Sequence, residues 1–191
     1  MARYAPEAQI TLYNKGMDAN TMNEAPYDLL LDSFMAVSIY KAVQDGHDVI
    51  NISAGLGNDF AYLKLACRYA YDNNVIIFTT SPYYLGKLGL NPIFSVRYET
   101  TVSVTGIKGR SDGTYDCWQA AAPEVTTTVS APNAPFIAYQ TYVDQEDEYD
   151  PGISCAIPIV TSLIALTISV YPKLGIEPSR ECFESIKRIL V

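Results

Sequence analysis

The sequence predicts an α/β fold with parallel strands, and three observations carry that expectation. Short apolar runs of strand character alternate with longer segments at helical spacing. No internal repeat, low-complexity tract or linker divides the chain, so residues 1–191 read as a single domain. Hydrophobic residues make up 49% of the 191, enough to bury a substantial core.

Taken in order, Gln9–Asn14 reads as a strand and Met17–Pro26 as a polar, turn-rich loop. Tyr27–Asp45 predicts a helix, with Leu30, Phe34, Val37, Ile39, Tyr40 and Val43 near helical spacing and Gly46 as its stop. Asp48–Ser53 is a short buried strand followed by a glycine-containing turn. Phe60–Asn73 is a second helix with Leu63, Ala66, Cys67 and Ala70 inward, and Val75–Thr80 and Thr101–Ile107 are apolar strands. Val125–Ala131 is a weaker strand. Ser154–Tyr171 forms a long apolar helix, and Ser179–Leu190 a closing amphipathic helix capped by Ser179.

Charge and composition exclude several classes of function. A net charge of −8 argues against nucleic acid, whose phosphates require clustered Lys and Arg, and against anionic membrane surfaces. Part of that charge lies in Asp144-Gln145-Glu146-Asp147-Glu148-Tyr149-Asp150, read as a solvated loop. A calcium site or a dock for a basic partner is the alternative, without EF-hand spacing to support it. No metal or cofactor is expected. Cys67, Cys117, Cys155 and Cys182 form no C-x-x-C pair and no zinc spacing; Cys67 and Cys182 are expected as buried free thiols. The segment Ile157–Tyr171 is too short to span a bilayer comfortably, and the N-terminal residues show no signal peptide. A cytoplasmic protein is therefore the expectation, or a secreted one if the chain belongs to a longer precursor.

One run carries chemistry. Gly152-Ile153-Ser154-Cys155-Ala156-Ile157-Pro158-Ile159-Val160 places a serine after a glycine at the mouth of an apolar helix. Unpaired N–H groups and the positive dipole end there suit a developing oxyanion. The run resembles the serine segment of subtilisin-like peptidases (subtilases), Gly-Thr-Ser-Met-Ala-Ala-Pro-His-Val-Ala.

Other segments resemble the same family in the same order. Tyr4-Ala5-Pro6-Glu7-Ala8-Gln9-Ile10 is similar to "VAPEAQI", and Gly46–Gly55 to "GADVINISLG". Tyr69-Ala70 with Asn74–Phe78 is similar to "YA…GVLVVAAAGN". Thr101–Gly106 is similar to "VISVGA", and Ser130-Ala131-Pro132 to "VAAPG". The resemblance implies a three-layer α/β sandwich with a mostly parallel subtilisin-like sheet, lacking the family's N-terminal strand or strands and matching the C-terminal two-thirds of its catalytic domain.

Carried onto matching positions, the resemblance makes Ser154 the nucleophile position. The family's aspartate ("DTG") and histidine ("HGTHVA") motifs occur nowhere in the sequence. Thr79-Thr80-Ser81-Pro82-Tyr83 aligns with "AAAGN", which puts Tyr83 at the oxyanion asparagine. Ser154 is therefore expected to be vestigial. The "SLG" substrate strand corresponds to Ser53-Ala54-Gly55, so peptide binding through main-chain hydrogen bonds is the surviving expectation.

His47 is the sole histidine, but it precedes the strand Asp48–Ser53. A site at the strands' C-terminal edge would lie roughly 20 Å away. No motif supports Lys64 or Lys87 as a base. In the family's sheet the aspartate strand lies between those matched by Gln9–Asn14 and Asp48–Ser53. Its loss leaves a gap that direct pairing, an inserted strand or a binding partner would repair, the last two implying a homo-oligomer or companion chain. Two functions follow. One is a catalytically inactive subtilase-like domain for peptide or protein binding, scaffolding or regulation. The other is the serine-bearing part of a split serine endopeptidase, with Asp and His on another chain.

Overall fold

A computed structural model describes residues 5–13, 27–53, 61–80, 100–109, 112–117, 129–132, 153–170, 181 and 184–185. Helix α1 (Tyr27–Gln44) leads to strand β1 (Val49–Ile52), helix α2 (Ala61–Asp72) and strand β2 (Ile76–Thr80). Strands β3 (Thr101–Gly109), β4 (Tyr115–Cys117) and β5 (Val129–Pro132) follow, and a 3-10 turn (Ile153–Cys155) opens helix α3 (Ala156–Val170).

Parallel pairing runs from β1 through β2 and β3 to β5, with Val49 opposite Ile76, Ile77 opposite Thr101 and Val104 opposite Val129. The short β4 pairs antiparallel with the far end of β3, Ile107 opposite Cys117. Alternate side chains of each strand feed two cores. Ile52 and Ile77 pack on one face with Met35, Ala36 and Ile39 of α1 and Leu63, Ala66, Cys67 and Ala70 of α2. Ile76, Phe78, Val102, Val104 and Ala131 pack on the other with Ala156, Ile157, Val160 and Ile164 of α3. Two helices, a sheet and a third helix make three layers, as expected from strands apolar on both faces.

Both helix-to-strand turns close in the same way. Gly46 N–H donates to Val43 O and His47 N–H to Ala42 O, with Gly46 at φ +78°. Asn74 N–H donates to Tyr71 O and Val75 N–H to Ala70 O, with Asn74 at φ +62°. These paired bonds satisfy the last carbonyls of α1 and α2 and need a left-handed residue just past each helix. In α3, Pro158 falls in the first turn, where its missing N–H costs no helical bond.

Three expectations change, and one strand, β4, is added. Residues 9–13 do not form a strand in the sheet, and Ile10 and Leu12 are 53% and 89% exposed. Their alternation suits a strand, but no strand lies beside them to complete a ladder among the described residues. On α1, Phe34 and Val37 face outward, while Met35, Ala36, Ile39 and Ala42 are buried. This helix carries apolar residues all round, so spacing alone does not choose its inner face. The strand β4, only three residues long, carries no periodic signal. Ser154 sits in the 3-10 turn, and α3 proper begins at Ala156. Met17–Pro26, most of Ser179–Leu190 and the acidic run 144–150 lie outside the described residues.

Candidate functional site

Ser154 is exposed and Cys155 half-buried in the turn that delivers the chain into α3. The turn is anchored behind by Ala156 and Ile157, both fully buried against the sheet. Helix α3 is then fixed to β1 by one polar contact, with Thr161 Oγ1 3.1 Å from Asn51 Oδ1. That hydroxyl also lies 2.9 Å from Ile157 O and has one proton to share between the two acceptors. Asn51 Nδ2 donates to Ser53 Oγ at 2.9 Å, so a hydrogen-bonded chain runs from α3 through β1 to the residue just past it.

These contacts set the direction of α3. Ala165, Ile168 and Ser169, all after Thr161, line one cavity with His47, Asp48 and Val49, all before Asn51, and no residue of 153–160 lines it. The helix therefore runs antiparallel to β1, and Ser154 projects about 10 Å beyond Asn51, past the strand's C-terminal end. His47 lies about 13 Å from Asn51 in the opposite direction. More than about 20 Å separates the serine from the sole histidine, and proton transfer requires about 3 Å. His47 instead belongs to the α1 turn, its ring edge-to-face with Tyr13 at 5.8 Å between centroids.

Among the other candidates, Ser53 is half-buried at the end of β1, held by Asn51. Ala54, Gly55, Tyr83 and Lys87 lie outside the described residues, and Lys64 is exposed on α2, on the other side of the sheet from α3. Cys67 is buried as expected, its thiol pushed up to about 12 by burial. Cys182 lies outside the described residues. No cluster of His, Cys, Asp and Glu that could hold a metal ion occurs among the described residues, and no described helix is long and apolar enough to cross a membrane.

Two features escaped the sequence. One is the Thr161–Asn51 link, whose only signal was a polar residue inside the apolar run Val49-Ile50-Asn51-Ile52. The other is a cavity of about 560 Å³ along the edge of β1 that does not face β2. Residues 8–13 form its far side. At one end the Tyr13 hydroxyl donates to Asp45 Oδ2 at 2.8 Å, and Lys41 pairs with the other carboxylate oxygen. The Lys41 and Tyr13 hydrogen bonds hold the Asp45 carboxyl below its ordinary value. Loss of hydration, then the bond to Asp45, pushes Tyr13 up to about 12.

Solved structures match this fold. The prenylagaramide maturation protease PagA aligns over 78% of this chain and 54% of its own, with 20% identity and a TM-score of 0.58. Fervidolysin from Fervidobacterium pennivorans, a keratinolytic enzyme related to subtilisin, aligns over 81% of this chain and 25% of its own, with 20% identity and a TM-score of 0.64.

The chain has a subtilisin-like fold. The PatG macrocyclase domain shares it, at 19% identity and a TM-score of 0.60, over 78% of this chain and 45% of its own. The subtilisin-like chain thus spans about half the length of PagA and of the PatG macrocyclase domain, and a quarter of fervidolysin. No family model and no curated protein matches it. At these identities the likeness shows the fold, and the chemistry rests on the residues of this chain.

Proposed function

We propose that this chain is a catalytically inactive subtilisin-like domain that binds an extended peptide or a protein partner. The separation of Ser154 from the sole histidine carries this reading: an exposed serine hydroxyl without a base within reach among the described residues is an ordinary alcohol. The structural neighbours are proteases, and PatG macrocyclase has been solved in complex with peptide, which supports a peptide as the class of ligand. The segment at Ser53, held by Asn51 at the end of β1, is the stretch the resemblance assigns to peptide pairing.

A second reading is the serine-bearing part of a composite serine endopeptidase whose Asp and His come from another chain. The exposure of Ser154 at the start of α3, past the strands' C-terminal ends, favours it.

A fluorophosphonate serine-hydrolase probe separates the two, applied to the purified chain alone and with lysate of the source organism, with Ser154→Ala as control. Absence of labelling in both settings is expected. Labelling at Ser154 only with lysate would establish the composite enzyme, and labelling of the chain alone would overturn both readings.

A further inference from the structure

We infer that Thr105 of β3 and Ser130 of β5 hold an ordered water molecule between them, on the sheet face that turns away from α3. This hydration site is independent of Ser154 and of the binding reading, and it gives a buried hydroxyl its partner.

Alternation along β3 sets the face. Val102 and Val104 pack with Phe78 and the residues of α3. Thr101, Ser103 and Thr105 therefore turn to the opposite face, where all three are buried. Thr79 of β2, opposite Ser103 in register, is buried beside them. The core beneath α1 and α2 lies on this face too, but it takes Ile52 from β1 and Ile77 from β2 and nothing from β3. The face thus passes from apolar side chains under the helices to hydroxyls along β3.

Thr105 is the residue on that face that needs a ligand. It is 4% exposed, and its Oγ1 makes no hydrogen bond among the described residues. On α3, Thr161 and Thr167 satisfy their hydroxyls on the carbonyls of Ile157 and Leu163, four residues back. A strand offers no such acceptor, because its carbonyls point sideways into the ladder. Buried hydroxyls without a protein partner are ordinarily paired with ordered water.

Strand register names the second partner. Thr105 lies opposite Ser130 in a parallel pair, so the two side chains share a face. Adjacent strands run about 4.8 Å apart, a span that two bonds of about 2.8 Å through one water can bridge. Ser130 is exposed, so solvent reaches this end of the pair and the water can exchange. Two neutral hydroxyls do not offset the lost hydration of a cation, which selects water as the occupant. The bridge adds a side-chain link to the four-residue β5 and opposes a slip in its register.

The test combines a crystal structure of the whole chain with chemical unfolding of three variants. The expected structure shows one ordered water within hydrogen-bond distance of both Thr105 Oγ1 and Ser130 Oγ. Thr105→Val keeps the shape, removes the hydroxyl and should lower the folding equilibrium constant about fivefold. Thr105→Ser should keep the water, and Ser130→Ala, at an exposed position, should fold and lose it. A Thr105→Val chain at least as stable as the parent would overturn the inference, because removing an unpaired buried hydroxyl costs nothing. Thr105 Oγ1 bonded directly to another protein group, or a water that stays in Ser130→Ala, would overturn it as well.

Discussion

Thr161 of α3 and Asn51 of β1, 110 positions apart in sequence, meet at 3.1 Å through Oγ1 and Oδ1 and tie the start of the apolar helix to the strand that ends at Ser53. Thr161 is fully buried and Asn51 half-buried. Thr161→Val takes the donor from Asn51 Oδ1, at about 1–3 kcal/mol for a fully buried group and toward the lower end here, whereas Asn51→Ala leaves the Thr161 hydroxyl on Ile157 O but also removes the bond to Ser53. Thr161→Val and Asn51→Ala should each lower the urea-unfolding free energy by about 1 kcal/mol. Their double mutant should show a coupling of about 0.5 kcal/mol or more. Strict additivity would show that the two positions act independently and that the link does not orient α3.

The two helix-closing turns give predictions of opposite sign. A Cβ at Gly46 would meet nothing within 4 Å, so Gly46→Ala carries only the left-handed backbone penalty, about 1 kcal/mol. Asn74 already occupies the left-handed region, so Asn74→Gly should stabilise by a few tenths of a kcal/mol to about 1 kcal/mol. Thermal unfolding of both variants checks the pair. A loss in Asn74→Gly would mean that its side chain supplies more than the turn.

The contrast between those turns shows what was legible in the sequence. Gly46 announces a helix end, and Val75–Thr80 announces a buried strand, because each signal is local and needs no partner. The α1 inner face was not legible, since apolar residues surround that helix and only packing against β1 and α2 selects Met35, Ile39 and Ala42. Residues 9–13 alternate like a strand, yet a strand is defined by a neighbour, and no local pattern reports whether the neighbour is there. The same holds for the site. The serine at the mouth of a helix could be read directly, whereas the Asn51–Thr161 contact and the cavity depend on elements far apart in sequence.

Burial at Cys67 has a chemical consequence. Its thiol is pushed up from 9.0 to about 12 because the surrounding apolar side chains of the α1–α2 layer exclude the charged form. Mapped alkylation of the native chain should modify half-buried Cys155 before Cys67, which should react only on unfolding. The folded state holds this proton more tightly than the unfolded one. Stability should therefore fall as pH rises from about 9 toward about 12, by at most about 1.4 kcal/mol per pH unit from this group. Equal labelling rates at Cys67 and Cys155 would contradict the packing of α2 on the sheet.

Ser154→Ala should leave unfolding stability within about 0.5 kcal/mol of the parent, because the side chain is exposed in its turn. A larger loss would place Ser154 in the structural support of α3. Its use as a control for probe labelling depends on this neutrality.

The Tyr13–Asp45 hydrogen bond should act as a pH-dependent clasp on the far side of the β1 cavity. It needs Tyr13 protonated and Asp45 ionised, and the pair holds both states over a wide range. Because the Asp45 carboxyl is held below 3.8, the contribution is present above that value and is lost as pH falls through the lowered one. Tyr13→Phe retains the edge-to-face contact with His47 but removes the bond. At neutral pH, amide exchange across residues 9–13, corrected for intrinsic rates, should be several-fold faster in Tyr13→Phe than in the parent. The gap should close in acid once Asp45 is protonated in both proteins. A gap of the same size at both pH values would show that the ring holds this segment and the carboxylate does not. The cavity's far wall would then be insensitive to acid.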